Sequence, residues 1–125
     1  MGRIIKEIMI QGQRAAALFD TGAYHTYVLK NFVQGAPSVK VRKPYKVAIG
    51  GKTHTVKEEH FISGKIEGCD FTAEAIAVSH LGQAEGRKLD ALIGALLMEK
   101  WEIKLDPKSG ALGLEGLKRR EFTEF

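Results

Sequence analysis

Apolar and polar residues alternate in short runs along most of this chain, and glycines separate the runs. This pattern is typical of β-strands joined by tight turns. In the first half it predicts strands at residues 4–10, 14–19, 26–33, 45–49 and 53–56. The first two strands would form a hairpin about Gln11-Gly12-Gln13, and residues 34–38 would form a loop. Gly50-Gly51 would be the tip of a second hairpin, polar on one side and standing out from the body.

The second half continues the pattern and adds the best helix candidate. Residues 61–66 and 71–78 should pair as a hairpin about Gly68-Cys69-Asp70, followed by a polar loop over 81–88. A buried strand at 89–94 precedes a helix at 95–100, which is rich in leucine and methionine. Strict alternation predicts a strand at 101–105, a turn at 106–110 and a returning strand at 111–114. We expect an all-β fold, a closed barrel with one short carboxy-terminal helix, in a single domain over 1–125 whose tail 116–125 has no assigned structure.

Composition limits the classes of protein. The chain has 125 residues, of which 44% are hydrophobic, so it can bury one core. The single cysteine, Cys69, cannot form an internal disulfide, and neither a membrane-length apolar run nor a signal-like leader is visible. A cytoplasmic location is the simplest expectation. The net charge of +4 is mild, and its basic clusters favour a solvated surface over a nucleic-acid site.

The most informative segment is Leu18-Phe19-Asp20-Thr21-Gly22-Ala23. An apolar strand delivers one carboxylate, and a hydroxyl and a glycine follow at once. Asp-Thr-Gly alone could be an ordinary turn after a strand. Its position after two large apolar residues favours a catalytic carboxylate.

Other chemistries find no support in the sequence. The four histidines and Cys69 share no metal-ligand spacing, so no metal or other cofactor is expected. The segment Gly50-Gly51-Lys52-Thr53 resembles the end of a phosphate loop, but Lys46 stands where that pattern needs glycine. Neither Ser63 nor Ser79 lies in a nucleophile elbow.

Three features together resemble the retropepsin family, the single-lobed aspartic proteases of retroviral type. The first is the segment 18–23, followed by Thr26 and Val28. The second is the glycine-tipped hairpin, which stands where the family has its flap. The third is Leu89-Asp90-Ala91-Leu92-Ile93-Gly94 with the helix after it. The resemblance spans residues 4–114.

Two departures distinguish this chain from the viral enzymes. Retroviral members often carry acidic residues after the alanine of the catalytic loop and an arginine after the second glycine motif. Here Tyr24-His25 and Ala95 hold those positions, so both partners of that ion pair are absent. The terminal dimer strands are not recognisable either. The resemblance therefore implies a cellular, prokaryotic or archaeal member.

The resemblance implies a specific mechanism. Two carboxylates about 3 Å apart share one proton, so one activates water and the other protonates the peptide carbonyl. No other aspartate of the chain is followed by Thr-Gly or Ser-Gly. Asp20 of each subunit would therefore supply one carboxylate in a homodimer that hydrolyses polypeptides.

Further roles are implied by the same resemblance. Thr21 would brace the two loops across the dimer axis, while Gly22 and Ala23 complete the loop and let the substrate backbone approach. Asp90 would hold structure through hydrogen bonds. The flap residues would be Ile49, Gly50 and Gly51, and the apolar subsites would be lined by Leu18, Val28, Ile49 and Leu92.

An alternative from another class stays open. A dimeric barrel of the same fold could bind peptide or protein partners without catalysis. The intact Asp20-Thr21-Gly22 favours the enzyme, whereas the missing ion-pair residues favour the binding module slightly.

Overall fold

The computed structural model describes residues 3–125, and strands dominate it. The strands are β1 (Arg3–Ile10), β2 (Gln13–Asp20), β3 (Tyr27–Leu29), β4 (Ser38–Ile49), β5 (Lys52–Ile66), β6 (Cys69–Val78), β7 (Gln83–Ala84), β8 (Arg87–Lys88), β9 (Ala91–Ile93), β10 (Lys104–Asp106) and β11 (Ala111–Gly113). The helices are a 3-10 turn (Lys30–Phe32), α1 (Ala95–Lys100) and α2 (Glu115–Arg119). The all-β fold class expected from the sequence is confirmed.

Seven strands form the main sheet in the order β1-β2-β9-β3-β6-β5-β4. Strand β1 also pairs with β5, which sets Met9 opposite Lys65. The six strands β1, β2, β9, β3, β6 and β5 therefore form a closed circuit. Strand β4 pairs with β5 outside that circuit, so the long β4–β5 hairpin extends from the body.

The β1–β2 hairpin fixes the start of the site. Its turn residues Gln11 and Gly12 both have positive φ, at 50° and 79°, as a two-residue turn matched to strand twist requires. All eight residues of β1 then pair with β2, and the last pair is Arg3 with Asp20.

Two parallel pairings bring distant segments beside the end of β2. Strand β9 pairs in parallel with β2, so that Leu18 lies opposite Leu92. Strand β3 lies on the other side of β9 in antiparallel register and also pairs in parallel with β6. The chain that leaves β2 thus returns beside it within one sheet.

The core lies inside the strand circuit. Its largest fully buried side chains are Phe19, Phe71, Ile10, Ile62, Ile66, Ile93, Leu117 and Val28. Alternate residues of β6, from Phe71 through Ala73 and Ala75, point inward as strand periodicity requires. Each large buried side chain contributes roughly 1.5–3 kcal/mol, so this packing holds the strand ends in place.

Helix α1 spans the predicted residues, because Gly94 precedes a run of strong helix formers. The predicted strand at 101–105 is wrong in its first half. The chain turns at Trp101 and Glu102, where φ is 53° at Glu102, and β10 begins at Lys104. The alternation of Trp101 and Ile103 reflects burial of both side chains in the core cluster rather than an extended backbone.

Several further elements differ from the sequence expectation. The strand predicted at 26–33 is shorter, because β3 ends at Leu29 and a 3-10 turn follows it. Strands β4 and β5 extend beyond the predicted 45–49 and 53–56. The predicted loop over 81–88 contains the small β7–β8 hairpin. Part of the unassigned tail forms α2, and this helix buries Leu117 in the core. Gly116 lies so close to the carbonyl carbon of Trp101 that a Cβ would stand 2.8 Å away. The tail therefore completes the packing around Trp101.

Candidate active site

Asp20 ends β2, and the loop after it folds back on the carboxylate. The backbone N–H of Gly22 donates to Oδ1 of Asp20 at 2.8 Å, and the N–H of Ala23 donates to the Asp20 carbonyl at 3.1 Å. The Asp20 side chain is 22% exposed. One carboxylate oxygen is thereby held by the loop, and the group still reaches solvent.

Gly94 of the second glycine motif and the first residues of α1 form hydrogen bonds to this loop. The N–H of Ala95 donates to the carbonyl of Ala23 at 2.7 Å, and the N–H of Leu96 donates to that of Tyr24 at 3.1 Å. The N–H of Gly94 donates to the hydroxyl oxygen of Thr26, which is the buried polar side chain of this region. The first turn of α1 therefore satisfies its free N–H groups on the loop that follows Asp20.

Asp90 connects β2 to the segments beside it. Its Oδ2 accepts the N–H of Ala16 at 2.8 Å, and its own N–H donates to the Ala16 carbonyl at 2.9 Å. Its carbonyl accepts the N–H of Leu29 at 3.0 Å. These bonds give Asp90 a structural position away from the Asp20 carboxylate.

The tip of the β4–β5 hairpin faces the Asp20 loop across an open cleft of about 570 Å³. The cleft is lined by Arg3, Asp20, Gly22, Ala23, Tyr24, Tyr27, Val47, Ala48, Ile49, Gly50 and Leu92. The hairpin tip, which the resemblance assigns to the flap, therefore lies across the cleft from the carboxylate, and most of the lining is apolar. Burial raises the pKa of the Tyr27 hydroxyl at the floor.

An arginine stands beside the carboxylate. Nε of Arg3 lies 3.7 Å from Oδ2 of Asp20, whereas the Gly22 N–H binds Oδ1. The Arg3 side chain is 56% exposed, so the ion pair is at the cleft wall and open to water. Solvent screening makes such a pair worth at most about 1 kcal/mol to folding.

Strand β4 of the long hairpin contacts the same loop through a pair of aromatic rings. The ring of His25 stacks on Tyr45 of β4 with centroids 5.8 Å apart. The Tyr45 hydroxyl donates a hydrogen bond to the Glu59 carboxylate of β5. Burial, followed by the hydrogen bond to Glu59, raises the pKa of Tyr45 well above its ordinary value.

The structure brings most of the residues proposed from the sequence into one region. Asp20, Gly22, Ala23, Ile49, Gly50 and Leu92 line the cleft. Gly51 lies at the flap tip beside Gly50. Thr21 lies on the far side of its loop and lines a different hollow with Ala95 and Met98.

Two expected subsite residues lie elsewhere. Val28 is fully buried in the core, and Leu18 is 4% exposed. Neither side chain lines the cleft. Val28 belongs to the core cluster inside the circuit, whereas Leu18 lies outside that cluster and opposite Leu92 of β9. Tyr24 and Tyr27 take up cleft surface that the sequence analysis had given to these two residues.

The contact of Arg3 with Asp20 and the contact of His25 with Tyr45 were not predicted from the sequence. For Arg3 a signal existed, since a two-residue turn at Gln11-Gly12 places residue 3 opposite residue 20. For His25 and Tyr45 no comparable signal exists, because their contact depends on the orientation of the β4–β5 hairpin relative to the loop after Asp20.

Residues 3–125 show neither a metal-binding cluster nor a membrane-spanning helix. No group of three or more histidine, cysteine, aspartate or glutamate side chains in this range is placed to hold a metal ion. No helix within the same range is long and apolar enough to cross a membrane.

Comparison with known proteins gives structural matches without sequence matches. No family model and no curated protein matches the chain. A foamy viral protease–reverse transcriptase, solved with an RNA/DNA hybrid, aligns with a TM-score of 0.61 and 13% identity over 84% of this chain. This chain spans 12% of that protein.

Two shorter proteins align over nearly their whole length. The retroviral protease-like domain of Ddi1 from Leishmania major gives a TM-score of 0.59 and 18% identity, covering 92% of this chain and 90% of that one. The simian foamy virus (mac) protease gives 0.51 and 17%, covering 76% and 91%. The chain therefore has the retropepsin-like fold of retroviral protease-like domains.

Proposed function

We propose that this protein is an aspartic endopeptidase that works as a homodimer. The observation that carries the proposal is the position of Asp20, which is held by its loop in a cleft opposite the glycine-tipped β4–β5 hairpin. Its substrate would be an extended polypeptide bound between the flap and the loop. The proposal needs no cofactor.

The dimer follows from the chemistry of the reaction. A single carboxylate cannot both activate water and protonate the peptide carbonyl, whereas two that share one proton can. The cleft of one chain contains one acidic side chain, Asp20. We therefore infer that the second carboxylate is Asp20 of another copy, with Thr21 of each loop near the axis between them.

The flap would contribute by closing. Gly50 and Gly51, with φ of 56° and 79°, form a tip without side chains that would move over the bound peptide and exclude water. Ile49 and Leu92 would contact the apolar side chains of the substrate. The loop residues Tyr24 and His25 still favour a cellular, prokaryotic or archaeal source, and a cytoplasmic location remains our expectation.

The test is cleavage of an unfolded protein between about pH 3 and 7, the range in which shared-proton carboxylate pairs titrate. The wild type is compared with Asp20→Asn and with Asp90→Asn, and the oligomeric state of each is measured. Asp90 is the matched control because it is also an aspartate beside β2, but its carboxylate accepts a backbone N–H outside the cleft.

We expect the wild type and Asp90→Asn to cleave and Asp20→Asn to be inactive while still dimeric. Equal cleavage by the wild type and Asp20→Asn would refute the role of Asp20. A wild type that binds peptides and never cleaves them would identify the chain as the non-catalytic binding module of this fold.

A further inference from the structure

Arg3 has a fixed position at the wall of the cleft. It is the first described residue of β1, and its backbone pairs directly with that of Asp20. Residues directly opposite each other on antiparallel strands project to the same side of the sheet. The eight-residue register of the hairpin therefore places the Arg3 guanidinium beside the carboxylate, without any contribution from a loop.

Among residues 3–125, Arg3 uses little of its hydrogen-bonding capacity. Its contact with Asp20 runs through Nε, and it makes no other ion pair or hydrogen bond within residues 3–125. A guanidinium has five N–H donors, and its two terminal nitrogens match the two oxygens of a carboxylate. With 56% of its side chain exposed, Arg3 can bind a further anion without losing its neighbour.

Among the described residues, no charged side chain other than Arg3 and Asp20 lines the cleft. Apart from Arg3 and Asp20, the lining consists of glycine, alanine, tyrosine, valine, isoleucine and leucine. In a dimer, two Asp20 carboxylates that share a proton carry about one negative charge. Two Arg3 side chains supply two positive charges, so the cleft keeps an excess of positive charge.

We propose that Arg3 is a specificity-determining residue that binds a carboxylate of the substrate near the scissile bond. The preferred substrates are peptides with apolar side chains at the cleavage site and an aspartate or glutamate at a nearby position. This inference rests on the proposed peptidase function, and it adds the chemical class of the substrate.

The test uses pairs of peptides that differ by a single glutamate or glutamine, placed in turn at each position around the cleavage site. For each pair, the ratio of kcat/KM for the glutamate peptide to that for the glutamine peptide is measured at low ionic strength. We expect a ratio of about 5–10 at one position in the wild type, as a partly exposed charge-assisted hydrogen bond provides.

Arg3→Gln should reduce that ratio to near one, and Arg3→Lys should leave an intermediate value because lysine offers a point charge instead of a fork. Arg14→Gln is the matched control. Arg14 lies on β2, its Nε is 3.6 Å from Glu7, and its side chain is 81% exposed outside the cleft. It should keep the wild-type ratio.

A ratio near one in the wild type, or a ratio that Arg3→Gln leaves unchanged, would overturn the inference while the peptidase function stands. Complete absence of cleavage would refute the function instead. Peptide affinities of Asp20→Asn and of Asp20→Asn combined with Arg3→Gln then decide the inference. A glutamate preference that only the first variant shows supports it, and equal affinities refute it.

Discussion

The hydroxyl oxygen of Thr26 accepts a hydrogen bond from the backbone N–H of Gly94, 68 positions later in the sequence. Thr26 is 3% exposed, so this bond is shielded from water. It joins the loop after Asp20 to the start of α1. Together with the backbone bonds from Ala95 to Ala23 and from Leu96 to Tyr24, it fixes the position of that loop relative to the helix.

Replacing Thr26 with valine should lower the free energy of unfolding by about 1–3 kcal/mol, because the buried N–H of Gly94 loses its acceptor. Hydrogen exchange of the Gly94 amide should accelerate in the same variant. Thr26→Ser keeps the acceptor and should retain slow exchange. Equal exchange rates in the valine and serine variants would show that the bond contributes nothing.

Gly94 should tolerate no side chain. A Cβ there would stand 2.8 Å from the Tyr24 carbonyl oxygen and closer still to the carbonyl oxygen of His25. Both obstacles are backbone atoms that cannot rotate away, so Gly94→Ala should cost about 3 kcal/mol or more in urea unfolding. Gly113→Ala is the control, since its Cβ would stand 3.5 Å from that of Lys104 and should cost about 1 kcal/mol at most. Similar losses in both variants would contradict this account.

Alanine substitutions at Gly51 and Gly12 can distinguish a functional role of the flap tip from an effect on stability. Gly51 and Gly12 both have φ of 79°, and a Cβ at either would meet no atom within 4 Å. Alanine at each position should cost a similar amount, about 1 kcal/mol, for its left-handed backbone. If Gly51 closes over substrate, Gly51→Ala alone should reduce kcat/KM, by about tenfold. A matching loss in Gly12→Ala would assign the effect to stability.

Tyr45 should make the protein sensitive to alkaline pH. Its pKa is raised in the folded state by burial and by Glu59, above the ordinary 10.0 of the unfolded chain. The folded state therefore keeps a proton that the unfolded state releases, and stability falls as the pH rises above about 10. Denaturation midpoints measured from pH 8 to 11 should decline less steeply in Tyr45→Phe. Parallel declines would show that Tyr45 does not control this range.

Elements that local chemistry determines could be predicted from the sequence. Helix α1 has strong formers after a glycine, and the turns at Gln11-Gly12 and Gly50-Gly51 have residues that accept positive φ. The Asp90 hydrogen bonds also match the structural role expected for that residue.

Other features depend on contacts that a linear pattern does not encode. The alternation at Trp101 and Ile103 results from burial in the core cluster, so it imitated a strand where the chain turns. Val28 is apolar, as a subsite residue would be, but its central position on β3 places it in the core. Its neighbour Tyr27 lines the cleft instead. Which of the two side chains faces the cleft depends on how β3 is placed in the sheet.

The pairing of β2 with β9 has a consequence for the order in which the protein matures. Asp20 is synthesised early, but the Ala16–Asp90 contact that steadies its strand spans 74 positions. This contact cannot form until residue 90 has been synthesised. A ribosome-bound chain that stops short of Gly94 therefore carries the Asp-Thr-Gly segment without the support that shapes it. Under the proposed function, proteolytic competence would arise only after most of the polypeptide has been translated, so unfinished chains would be protected from one another.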